Sequence, residues 1–154
     1  MKSLSLTTEK ITKAFKVLDE ARYQKLSDDD KVKVWKISRK LGPIALKYEE
    51  EALDAERKLM PSEDFPQKLQ KVLAYEKALD EGKKDSLPMT REEHDAFAKE
   101  YFAYKDLLNK ATAELKEKEA TIEFEPLSEN AFGKLMSSND WTLKQVDLIE
   151  FIIE

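Results

Sequence analysis

The chain has 154 residues, and 32 acidic against 27 basic side chains give a formal charge of −5. Its 41% hydrophobic and 38% charged content, with three Gly and five Pro, suits one domain built from long solvated helices. With no Cys there is no disulfide framework, thiolate nucleophile or Cys-ligated metal, and a single histidine, His94, excludes a multi-histidine metal centre.

Ser3-Leu-Ser-Leu6 alternates polar and apolar residues with period two, which favours a short half-buried strand. Thr8 is then placed to cap a first helix, whose Ile11, Phe15 and Leu18 recur at helical spacing. Ser27, followed by Asp28, Asp29 and Asp30, supplies a cap and three carboxylates for the positive end of a second helix. Along it Val34, Ile37, Leu41, Ile44 and Tyr48 step by three and four, and Ala52, Ala55 and Leu59 continue after a stutter. Unbroken, residues 28–59 would span roughly 48 Å, against a radius of gyration near 15 Å for a compact chain of about this length, so an elongated molecule is expected. Gly42-Pro43 is the weak point. Pro43 cannot donate to the Arg39 carbonyl and crowds it, which predicts a kink or short break.

Pro61 and Pro66 bracket a turn, after which Leu69, Val72, Leu73 and Leu79 mark another helical stretch that Gly82 ends. The polar segment 82–88 reads as an exposed loop, and 61–90 as a loop and helix insert prone to disorder. Thr90-Arg-Glu-Glu93 has the form of a capping box. His94, Phe97, Tyr101, Tyr104, Leu108, Ala111 and Leu115 follow it as a heptad seam, broadened by Phe102 and Leu107. Two long seams are covered at least cost by packing on each other as an antiparallel hairpin, with Ala52, Ala55 and Ala111 allowing close approach.

At Thr121-Ile-Glu-Phe-Glu-Pro126 the period changes to two, giving a strand that Pro126 ends. A lone strand leaves its amides unpaired, and Ser3–Leu6 is the best antiparallel partner in the chain. Ser128 caps a short helix through Met136, and the capping box Thr142-Leu-Lys-Gln145 opens a last one that must bury Val146, Ile149, Ile152 and Ile153. The expected fold is mainly α, in a single elongated domain over 1–154. It comprises a long antiparallel, coiled-coil-like helical hairpin, a small two-stranded β element and short C-terminal helices.

Convergent chemistry is hard to find. His94 lies among Glu92, Glu93 and Asp95, but a di-iron bundle needs two Glu-x-x-His motifs and a lone His carries no triad logic. The three carboxylates suit a helix's first turn, and His94 reads as packing or capping. Asp28-Asp29-Asp30 lacks the ligand spacing and turn Gly of a calcium loop, and three glycines leave no phosphate loop. No catalytic residue, cofactor or metal is therefore expected. Tyr101 and Tyr104 read as core, and Trp35, beside the long seam, as structural. Trp141, just before the last helix, has two readings: a binding hot spot, or a staple for the start of that helix.

No apolar run of about 7 to 15 residues marks a secretory leader, and none of about 18 marks a membrane span, so a cytoplasmic protein is expected. The acidic balance disfavours nonspecific nucleic-acid binding. Lys31-Val-Lys-Val-Trp-Lys-Ile-Ser-Arg-Lys40 reads first as a solvated face.

The charged hairpin, the strand Thr121-Ile-Glu-Phe-Glu-Pro-Leu127 and the apolar tail Phe151-Ile-Ile153 together resemble small uncharacterised proteins of phages and prophages. The likeness covers residues 30–60 and 90–154, and this chain departs from it by the first helix and the insert at 61–90. The resemblance implies a phage or prophage gene product, an accessory to particle assembly, and carries over no activity. The sequence thus points to a non-enzymatic interaction protein that engages a protein partner or itself, with Trp141, Phe102, Leu107, Ile149 and Ile153 as candidate contacts. The alternative is a nucleic-acid-associated or regulatory protein using Lys33, Lys36, Arg39 and Lys40.

Overall fold

A computed structural model describes all residues, 1–154. It is mainly helical with one small antiparallel sheet, in the order β1 (Lys2–Thr7), α1 (Thr8–Asp19), α2 (Asp28–Leu59), α3 (Phe65–Asp80), α4 (Arg91–Glu117), β2 (Glu119–Phe124), α5 (Glu129–Ser137) and α6 (Leu143–Ile149). A single 3₁₀ turn, Glu150–Ile152, follows α6. The two longest helices are α2, of 32 residues, and α4, of 27. The chain divides into two compact units, unit 1 from Met1–Glu51 with Glu114–Glu154 and unit 2 from Ala52–Ala113.

Unit 1 holds the larger core. β1 and β2 pair antiparallel with Leu4 opposite Ile122, so Leu6, Ile122 and Phe124 face inward while Ser3, Ser5, Thr121 and Glu123 face out. Ile11, Ala14 and Leu18 of α1, Val34, Ile37 and Leu41 of α2, and Leu127, Leu135, Ile149 and Ile152 of the C-terminal third complete it. The C-terminus is fastened to this core. Leu127 forms a parallel bridge with Ile153, the Leu127 N–H donates to the Ile152 carbonyl at 2.8 Å, and Lys2 Nζ donates to the Phe151 and Ile153 carbonyls.

Local chemistry accounts for the boundaries. The cap of α1 is Thr7, not Thr8: Thr7 Oγ1 accepts from the Lys10 N–H, while the Thr8 hydroxyl donates to the Lys118 carbonyl at 2.7 Å. Two adjacent threonines share the roles, and the strand-to-helix turn gives the cap to the first. Ser27 caps α2 through the Asp30 N–H. No break occurs at Gly42-Pro43, and α2 runs on through Pro43. Gly42 is needed for its size, since a Cβ there would lie 3.2 Å from the Phe15 ring of α1. Beyond Leu41 the buried position is Ala45, not Ile44, because a helix of about 3.6 residues per turn drifts off a strict heptad.

Unit 2 has a small aromatic core of Phe65, Val72, Phe97 and Tyr104. The Phe65 ring centroid lies 5.1 Å from those of both Phe97 and Tyr104, and the Tyr104 hydroxyl donates to the Glu56 carbonyl of α2 at 3.3 Å. Pro66 occupies the first turn of α3, where its missing N–H costs nothing, and Gly82 (φ 73°) lies just beyond the helix end. At Thr90 only half of the capping box forms: its hydroxyl accepts from the Glu93 N–H at 3.1 Å. Thr142 and Gln145 make both halves.

Candidate interaction surfaces

Unit 1 carries an open recess of about 440 Å³ between α1 and α2. Phe15, Tyr23, Trp35, Leu46 and Pro43 supply its apolar lining, and Ser38 and Arg39 its polar groups. The expectation that Trp35 is structural does not hold for its ring. It is 54% exposed, because it stands one residue off the buried Val34 position, and the Arg39 guanidinium lies over it at 5.3 Å. Leu46 is also exposed and falls off the seam, and Tyr23 is exposed in the connection between α1 and α2. For Trp35 and Leu46 the sequence offered one signal, namely apolar residues out of phase with the buried stripe.

Unit 2 carries a second groove of about 360 Å³ between α3 and α4, over Val72, Phe97 and Tyr101. Leu73 and Phe102, 55% and 66% exposed, form its rim. His94 and Glu76 close one side, with His94 Nε2 at 3.2 Å from Glu76 Oε1 and His94 Nδ1 at 3.3 Å from Asp95 Oδ1. The imidazole also stacks on Tyr75, centroids 4.9 Å apart. The Glu76 carboxylate first, and Asp95 second, raise the His94 pKa above its ordinary value. Leu107 is half-exposed further along α4. In the sequence Leu73 marks only a helix, and its exposure follows from its place on the outer side of α3.

The five candidate contacts thus divide between the units. Phe102 and Leu107 present free apolar surface in unit 2. Ile149 is completely buried in unit 1 and has no surface to offer a partner, because α6 turns it onto the core that Ile11 and Leu135 share. Ile153 is half-buried by its bridge to Leu127. Trp141 packs partly against the same core directly before the cap Thr142, as does Val146, and these are the two positions a hydrophobic staple joins.

The basic stretch 31–40 is largely engaged. Lys31 pairs with Asp28, Lys33 with Asp30 and Glu125, and Lys40 donates to the Glu123 carbonyl. No group of three or more His, Asp or Glu side chains is arranged to hold a metal ion, and no helix is long and apolar enough to cross a membrane. No protein-family model, curated protein or solved structure matches the chain.

Proposed function

We propose that this chain is a non-enzymatic interaction protein that docks through the outer face of unit 2. One observation carries the reading: Phe102 and Leu73 stand exposed on either side of an open apolar groove. Large apolar side chains gathered at a groove mark contact sites, and aromatic anchors dominate such contacts. The Trp35–Arg39 recess of unit 1 offers a second surface of similar chemistry. Particle assembly, the setting that the phage-protein resemblance implies, is built on contacts of this kind.

The test is affinity capture from the native host, with wild type and Phe102→Asp as baits and bound proteins identified by mass spectrometry. Wild type is expected to retain a defined set of proteins, its own chain included, that the variant loses. Equal recovery by both baits, with the variant still helical by circular dichroism, would overturn the assignment to this face.

A further inference from the structure

The outer face of α4 carries a charge pattern that fits its own reverse. Asp95, Lys99, Phe102, Asp106 and Lys110 are all exposed and recur at steps of four, three, four and four, so they form one stripe along the helix. Read from Asp95 the signs run minus, plus, apolar, minus, plus, and read from Lys110 they run plus, minus, apolar, plus, minus, so each charge meets its opposite in a reversed copy. Asp95 with Lys99, and Asp106 with Lys110, also have the spacing of ordinary i,i+4 pairs. Such pairs close in this molecule at Glu9–Lys13, Lys47–Glu51, Asp54–Lys58 and Asp64–Lys68. The two on the stripe stay open, and the only partner near any of its charges is His94 beside Asp95. Lys99 and Asp106 lie about 10 Å apart along their helix, too far to pair within one chain.

We propose that this face binds a second copy of the chain, with the two α4 helices antiparallel and a two-fold axis between Phe102 and Ala103. This names the partner of the surface proposed above and rests on that reading. In this register Lys99 faces Asp106 of the second copy and Asp95 faces Lys110, each pair occurring twice by symmetry. Phe102 meets the small Ala103 of the second copy at the centre. Both are exposed, and the Phe102 ring lies at the rim of the α3–α4 groove, which adds apolar surface beside the axis. A parallel pairing would set Lys99 against Lys99 and Asp106 against Asp106, so the charges select the antiparallel one.

The chain has no cysteine, so introduced ones report position directly. Under mild oxidation Ala103→Cys is expected to give a disulfide-linked dimer. Asp95→Cys is expected to give none, because the two copies of residue 95 lie about 22 Å apart along the axis. Sedimentation supplies the second arm. Lys99→Asp and Asp106→Lys each weaken the dimer about tenfold, and the double variant restores it. Cross-linking at residue 95, absence of it at residue 103, a wild type that stays monomeric at every concentration, or a double variant no better than the singles would each overturn the proposal. A monomeric wild type whose host partners still depend on Phe102 overturns the self-pairing alone. Loss of that dependence as well overturns the docking face itself.

Discussion

At the residue scale the most informative side chain is His94. Both of its ring nitrogens face carboxylates, and only the imidazolium can donate from both. A pKa raised in the folded state means that the pairing contributes fully below the unfolded value near 6.5, and its contribution is lost as pH rises through the folded value. His94→Gln is therefore expected to lower the melting temperature at pH 5.5 and to change it much less at pH 8.5. An equal loss at both pH values would assign His94 to packing on Tyr75 alone. The sequence placed His94 on the buried seam but not beside Glu76, since that contact joins two helices whose register no local pattern encodes. The same limit explains Thr7 and Thr8: either can cap, and only the pairing of β1 with the chain around Lys118 decides which does.

At the element scale, period and capping chemistry made most of the fold legible. The two strands, their antiparallel pairing and the caps at Ser27, Ser128 and Thr142 follow from local residues, and the structure has all of them. Gly42-Pro43 predicts a kink or a break, and the break is absent: α2 runs through Pro43, because the flanking turns gain enough from burying Val34, Ile37, Leu41 and Ala45 to carry one missing donor. Pro43 is exposed, so Pro43→Ala should restore a bond to the Arg39 carbonyl without disturbing the core. A gain of about 1–3 kcal/mol in urea denaturation is expected. A loss would mean that a bend at Pro43 is needed to seat Gly42 against Phe15. Trp35 shows where heptad reading stops short: a large apolar residue next to a seam position reads as structural, although the helix leaves its ring 54% exposed.

At the scale of the whole molecule the two units differ in how firmly their elements are held. The core of unit 1 draws 18 buried residues from both ends of the chain, whereas that of unit 2 has four. Amides of α3, supported by the smaller core, are therefore expected to exchange with deuterium faster than those of α1 and the β1–β2 pair. Equal protection would show that the molecule opens as one cooperative body. Of the candidate surface, the sequence named Phe102 and Leu107 because they broaden the α4 seam. It did not name Leu73, Tyr23 or Leu46, whose exposure depends on how helices pack.

The central claim is that the outer face of α4 binds a second copy of the chain, and sedimentation velocity of wild type and Phe102→Asp across a wide concentration range tests it most directly. The account predicts a wild-type mass that rises from the 17.9 kDa of one chain towards twice that value as concentration increases. The variant should stay at one chain with unchanged helicity. Wild type and variant sedimenting alike at every concentration would contradict it.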